Sequence, residues 1–375
     1  MAEFIPVNEP LLQGNEKKYL AECIDTGWIS SEGPFVKKFE EKFAAKVGRK
    51  FGVAVCNGSA ALETAVVALG IGPGDEVILP AFTIISCAAA IVRAGAKPVL
   101  VDSDPLTWNM DVGQIEAKIT ARTKAIMVVH IYGLPVDMDP TLALAEKYGL
   151  MIIEDAAEAH GLDYKGQPCG SFGDISVFSF YPNKHITTGE GGMVLTNDEN
   201  LTERCCSLRN LCFQAERRFV HEELGWNFRM SNLQAALGVA QLERLDKFVA
   251  RKKYMGKRYT ELLKDIYNIQ LPVSSTDYAE NIYWVYGIVL GDEVPFEADE
   301  MMRRLAVHKI GTRPFFWPMH EQPVFKKMGL FTGESYPVAE CIARRGFYVP
   351  SGLALTDEQI RRVVECLHLV LYKEE

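Results

Sequence analysis

Short apolar runs recur along the chain, each closed by a polar or glycine-bearing turn and followed by a stretch with helical spacing. Phe51 to Val55, Glu76 to Pro80, Lys97 to Val101, Ala125 to Val129 and Gly149 to Ile153 read as buried strands. Between and around them, residues 14–26, 35–47 and 112–119 carry helical patterns, and a long apolar helix opens near Cys56 to Ala61. Alternating strands and helices of this kind imply a mostly parallel sheet covered by helices on both faces. The pattern continues through a strand over Val177 to Tyr181, a strand ending at Leu195 to Asp198, and a helix that carries Arg204 to Arg209. Residues 214–223 read as an exposed polar loop, and Ser231 to about Leu245 as a helix leading to the basic run Arg251-Lys252-Lys253. Such a run reads as a solvated helix face. The boundary falls there, giving a large α/β domain over 1–245 and a smaller α+β domain over 246–375, with a strand at Ile282 to Leu290.

A chain of 375 residues, 48% of them hydrophobic, is long enough for two such domains and can bury a sizeable core. The net charge of −9 argues against nucleic acid or an anionic membrane as the main partner, though local Arg and Lys can still bind phosphates. Nine cysteines, an odd number without a CxxC pair, suit reduced thiols in a cytoplasmic protein. Cys205, Cys206 and Cys212 lack a histidine at ligand spacing, so no metal site is expected. The opening MAEFIPVNEP has neither a basic start nor a long apolar core, and no apolar run reaches the roughly eighteen residues of a membrane span. Neither export nor spanning is expected.

The chemistry concentrates in two stretches. Val177-Phe178-Ser179-Phe180-Tyr181 runs into Pro182 and a polar turn where Lys184 sits among Asn183, His185, Thr187 and Thr188, ahead of Gly189-Glu190-Gly191-Gly192. A lysine between an aromatic run and so flexible a backbone differs from a solvated surface charge. Partly desolvated, it has a lowered pKa and becomes a nucleophile toward carbonyls. Upstream, the strand Gly149 to Ile153 ends in Glu154-Asp155-Ala156-Ala157-Glu158, and carboxylates at the carboxyl end of a buried strand point into the crevice where open α/β sheets bind ligands. If Lys184 carries pyridoxal 5'-phosphate (PLP), Asp155 is placed to pair with the pyridinium nitrogen. Asp155 as a plain cap of a helix beginning at Ala156 is the competing reading.

IIEDAAEAHG, then GDISVFSFYPNKHITTGEGG, then Gly225-Trp226-Asn227-Phe228-Arg229-Met230, in this order, resemble the sugar aminotransferases of the DegT/DnrJ/EryC1/StrS family. The likeness runs from Ile5-Pro6-Val7 to the C-terminal helix, and the phrases NKHITTGEGGM and RPFFWPMH are most similar to the GDP-perosamine synthase branch. The resemblance implies a PLP enzyme of the aspartate aminotransferase fold (fold type I): an α/β domain with a mostly parallel seven-stranded sheet, plus a small C-terminal α+β domain. It further implies L-glutamate as donor, a nucleotide-linked 4-keto-6-deoxy sugar as acceptor, and a 4-amino sugar for surface polysaccharide as product. A homodimer with active sites at the subunit interface is implied as well.

Residue by residue, the resemblance makes Lys184 and Asp155 catalytic, and Gly58, Ser59 and Ser179 the contacts of the cofactor phosphate. A Gly-Ser turn at a helix N-terminus offers free N–H groups and a positive dipole end for that purpose, although Ser59 would serve equally as an N-cap. Phe82, just after the strand Glu76 to Pro80, matches an aromatic that stacks on the pyridine ring, with ordinary core packing as the alternative. Glu158 is placed against the phenolic oxygen of the cofactor, and Asn227 reaches the partner's phosphate. Arg313 and His320, in Gly311 to His320, and His185 are the candidate substrate contacts, and a lone His often only satisfies a local hydrogen bond. The glycines at 70, 72 and 74 are wrongly spaced for a dinucleotide fingerprint. Relatives that dehydrate a sugar carry histidine in place of the lysine, which is intact here. Tyr181-Pro182 and His185 depart from the perosamine-type phrase, so a UDP- or TDP-linked sugar or a small phosphorylated ketone is the alternative acceptor. A non-catalytic PLP-binding regulator is the alternative outside catalysis.

Overall fold

The computed structural model describes residues 3–372. Seven strands form one sheet in the order Phe51–Val55, Gly192–Thr196, Ile175–Ser179, Met151–Asp155, Thr123–Val129, Glu76–Pro80 and Lys97–Val101. Only Gly192–Thr196 runs against its neighbours, pairing antiparallel with the strands on either side of it. The remaining pairs are parallel, so the expected mostly parallel seven-stranded sheet is what the chain forms. Glu76–Pro80 is buried at every position because helices cover both faces, which removes the alternation a half-exposed strand would show.

What matters for the site is where the parallel strands end. Met151–Asp155 and Ile175–Ser179 lie side by side in parallel and deliver Asp155 and Ser179 to the same edge. The helix Gly58–Ala68 points its N-terminus there, packed through Ala61, Ala65 and Val66. Asn57 starts it: its side chain accepts from the Ala60 N–H at 2.8 Å, satisfying one of the donors a helix N-terminus leaves free.

A second, antiparallel sheet follows in the order Ile269–Gln270, Tyr286–Leu290, Gly346–Val349 and Arg313–Pro314, flanked by the helices Ala298–Val307, Pro337–Arg345 and Asp357–Tyr372. A separate core cluster built on Tyr259, Ile288, Leu305, Phe347 and Leu367 holds it, and Ile5 from the chain start joins that cluster by bridging to Ile310. The helix Leu245–Leu263 contributes Met255 and Tyr259 to the cluster. That helix corrects one expectation. Arg251 and Lys253 lie toward the surface and Lys253 pairs with Glu280, but Lys252 is fully buried on the inward side, so the basic run is not one solvated face. The strand expected from Ile282 begins only at Tyr286, because the Ile282 N–H is taken by the Gly133 carbonyl and Tyr283 turns into the left-handed region at φ 52°. Among the described residues no helix is long and apolar enough to cross a membrane.

Candidate active site

Where the parallel strands end, a cavity of about 500 Å³ opens between the two sheets. Lys184, Asp155, Glu158, Ser179, Gly58 and Ser59 all line it, so six of the residues singled out from the sequence converge. At one end lie the helix N-terminus at Gly58, the Ser179 side chain and Ser59, whose Oγ is 2.7 Å from Oγ of Ser86. At the other end Asp155 is buried, with Oδ1 accepting from the Ala157 N–H at 3.0 Å and Oδ2 from the Cys87 thiol at 3.2 Å. The Asp155 interactions with Ala157 fall in a turn, and no helix begins at Ala156.

Lys184 Nζ stands 3.6 Å from Oε1 of Glu158 and 3.7 Å from the centroid of the Trp284 ring. Burial lowers its pKa, with the charges of Glu158 and Asp155 holding it back, and this raises the fraction of neutral, nucleophilic amine. Glu158 accepts from the Tyr132 N–H at 2.8 Å, and burial raises its carboxyl to about 7. Burial likewise raises Asp155, opposed by the Ala157 N–H, the Cys87 thiol and the Lys184 charge. His160, buried behind the strand Ile175–Ser179, is lowered to about 3 by burial and is neutral.

PLP fits these residues. Glycine sets the close approach of backbone at the Gly58 turn: a Cβ on Gly58 would lie 2.8 Å from Cβ of Ser179, and one on Gly192 would lie 2.4 Å from the Asn57 carbonyl oxygen. Free helix-terminal N–H groups and two hydroxyls suit a phosphate, and an acid and an amine stand at the other end.

The other expected residues are placed differently. Phe82 is wholly buried and packs against Tyr132, Phe315 and Phe316, outside the cavity lining. The strand end turns over at that point, so Ile84, 40% exposed, faces the cavity instead. Of this stretch it is therefore Ile84, and not Phe82, that lines the cavity. His185 also turns away into the core, with Nε2 3.5 Å from the Ile282 carbonyl, and its pKa is pushed well below the ordinary value by burial. His320 is buried elsewhere, bonded through Nε2 to Glu340 at 2.9 Å. The structure therefore brings neither histidine to the cavity. Arg313 is exposed at the sheet edge directly opposite Tyr348, which lines the cavity. Asn227 is exposed, bridges to Asn210 and does not line this chain's own cavity. Sequence reading missed Ile84, Ser86, Cys87, Tyr181, Trp284, Phe316 and Tyr348. Trp284 and Tyr348 sit in apolar runs whose pattern says buried strand, and nothing in that pattern distinguishes a core face from a cavity wall.

A family model described as the DegT/DnrJ/EryC1/StrS aminotransferase family matches residues 10–368. The chain is similar to the GDP-perosamine synthase of Escherichia coli O157:H7, 43% identical over 366 residues that cover 98% of each chain. It is similar to that of Caulobacter vibrioides at 43% identity over 367 residues, again 98% of each. Among solved structures, it is similar to Spr1654 of Streptococcus pneumoniae in its PLP form, with a TM-score of 0.90, 26% identity and 98% of both chains covered.

Proposed function

The chain belongs to the DegT/DnrJ/EryC1/StrS aminotransferase family and is a PLP-dependent aminotransferase, and from that premise we propose that it moves an amino group from L-glutamate to a GDP-linked 4-keto-6-deoxy sugar. The observation that carries the reading is the buried Lys184 amine in one cavity with Asp155, together with 43% identity to GDP-perosamine synthases over nearly the whole chain.

PLP supplies an electron sink when bound. The chain's residues do the rest. Lys184 would hold the cofactor through its amine and would move a proton at the donor's α-carbon. Its lowered pKa raises the share of neutral amine that can act as a base. Asp155 holds a proton on the ring nitrogen, and Cys87 and the Ala157 N–H fix its carboxylate for that task. Gly58, Ser59 and Ser179 hold the phosphate at the helix N-terminus. Glu158 is assigned to the phenolic oxygen, and Ile84 to the ring face. Trp284, Phe316, Tyr348 and Tyr181 line the cavity and exclude water from the reacting carbon. Arg313, beside Tyr348, is the cation we assign to the acceptor's diphosphate.

We assign Asn227 to the partner's cofactor phosphate in a homodimer. Its exposed position next to a loop that presents Phe219 and Leu224 to solvent supports that reading.

The test is an absorbance spectrum of the PLP-loaded protein before and after L-glutamate, followed by GDP-, TDP- and UDP-linked 4-keto sugars. Glutamate is expected to bleach the band of the lysine-bound cofactor and the GDP-linked sugar to restore it. Restoration by a TDP- or UDP-linked sugar alone, or only by a small ketone, would replace the acceptor; a band that glutamate leaves untouched would remove the donor.

A further inference from the structure

Among the described residues, Lys252 is the one member of its basic run with no carboxylate partner. Arg251 and Lys253 reach Asp357 and Glu280, whereas the Lys252 side chain is buried and donates to two backbone carbonyls, that of Trp284 at 2.8 Å and that of Ser351. A buried amine held only by neutral acceptors is costly, and an apolar side chain of equal length would fill the same space without that cost. Stability of the fold therefore does not account for it.

Its location does. The strands Tyr286–Leu290 and Gly346–Val349 pair antiparallel, and the last opposed pair is Tyr286 with Val349. Two residues further along each strand, Trp284 and Ser351 would form the next opposed pair of that side-chain face, but the ladder has stopped. The Lys252 amine sits in the gap and takes both carbonyls. The chain splays there because Tyr283 adopts φ 52° and the Asn281 side chain accepts the Tyr283 N–H at 2.7 Å. The splay turns the Trp284 ring out of the sheet and under Lys184, 3.7 Å from Nζ, while its indole N–H donates to the Asn183 carbonyl at 2.8 Å. One indole thus touches both the amine and the loop that carries it.

We propose that Lys252 is a positioning residue for transamination: by clasping the carbonyls of Trp284 and Ser351 where the ladder ends, it fixes the indole face on which the free Lys184 amine rests. Burial, with the nearby Lys184 charge, brings the Lys252 amine down to about 7, and even the neutral amine keeps two N–H groups for two carbonyls. The clasp therefore survives loss of the charge. An aromatic face holds an ammonium without neutralising it, so the amine stays in reach of the substrate carbon yet can give up its proton. This inference rests on the assignment of Lys184 above.

The test is a double-mutant cycle on the PLP-loaded enzyme, reading the rate of the glutamate half-reaction for Lys252→Met, Trp284→Leu and the pair. Lys252→Met is expected to slow that step by about tenfold or more with the glutamate KM little changed, since small displacements of a reacting group act on the rate. In the Trp284→Leu background it is expected to add little. Hydrogen exchange of the cofactor-free protein supplies a second readout: Lys252→Met should speed exchange at Asn183 and Lys184, which Lys252 does not touch. If Lys252→Met does not fold, Lys252→Gln, which reaches one carbonyl, is expected to give an intermediate loss that vanishes in the same background. Losses that multiply, an unchanged half-reaction, or undisturbed exchange at Lys184 would overturn the clasp. Transamination by Lys184→Ala would instead overturn the assignment of the site.

Discussion

The Cys87 thiol donates to Oδ2 of Asp155 at 3.2 Å, and a thiol is a weak donor. In the proposed role of Asp155 it would steady the carboxylate while leaving it basic enough to hold a proton on the ring nitrogen. Cys87→Ser puts a stronger donor there, drains basicity from Asp155, and is expected to cut kcat by about fivefold, the equivalent of about one hydrogen bond. Cys87→Ala should retain more of the rate than Cys87→Ser; steady-state kinetics of the two variants check the order, and the reverse order would show that the thiol is needed as a donor. Glu158 gives a pH signature. Its carboxyl, raised by burial from 4.5 to about 7, keeps its proton in the folded chain between those values while the unfolded chain has released it. The folded state binds more protons there, so this group's contribution to stability falls as pH rises, by about 3 kcal/mol at most. His160, lowered by burial to about 3, has the opposite slope from about pH 3 to 6.5, because there the unfolded chain holds the extra proton. The difference between Glu158→Gln and the unchanged protein isolates the first term. The variant should gain in melting temperature, relative to the parent, from pH 4.5 to 7; a flat difference would place the Glu158 carboxyl near its ordinary pKa.

The element that carries the proposed phosphate site is the helix Gly58–Ala68, whose N-terminus packs tightly against Ser179. A methyl on Gly58 would fall 2.8 Å from Cβ and 3.2 Å from Oγ of Ser179. Gly58→Ala must therefore push the helix N-terminus away from Ser179, and PLP affinity is expected to fall by about tenfold or more, while Gly70→Ala, at the far end of the same helix, serves as a control that strains only its own turn at φ 72°. Absorbance titration with PLP reads both, and equal losses would deny the site its specific role. This junction was legible in the sequence because each part has its own signal: an apolar strand, a Gly-Ser turn and an apolar helix in immediate succession. Asp155 was legible for the same reason, as the polar residue that ends a buried strand, and Lys184 as a lone cation in the turn between such a strand and a glycine-rich stretch. The wall facing them was not. Phe82 and Ile84 differ only in which side of a turning strand end they take, and the pattern of apolar residues is the same either way. Trp284 belongs to an apolar run that reads as one strand through Leu290, and the break at Tyr283 comes from a contact with Gly133, some 150 positions away in the chain. Lys252 failed for a related reason: three consecutive basic residues look uniform in composition, but successive helix positions point about 100° apart and only one of them meets the core.

At the scale of the whole molecule the question is whether one chain holds a complete site. Phe219 is 81% exposed and Leu224 89% exposed on the stretch that leads to Asn227, which itself does not line this chain's own cavity. Large apolar side chains so exposed on an otherwise polar loop are suited to an isologous contact, in which each subunit gives the same surface to the other. If Asn227 completes the partner's site, then Lys184→Ala and Asn227→Asp are inactive for different reasons in different halves of one site. Asn227 is exposed, so its replacement leaves the subunit folded, and the aspartate acts by placing a negative charge against a phosphate. Co-refolding the two inactive proteins in equal amounts gives mixed dimers in which one site has both residues intact and the other has neither. Random pairing makes half of the dimers mixed, so activity should return to about a quarter of that of the unchanged protein. Sedimentation should show a dimer for both parents and for the mixture. Had Asn227 served its own subunit's site, every site in the mixture would still lack one of the two residues, and no activity would return however well the subunits paired.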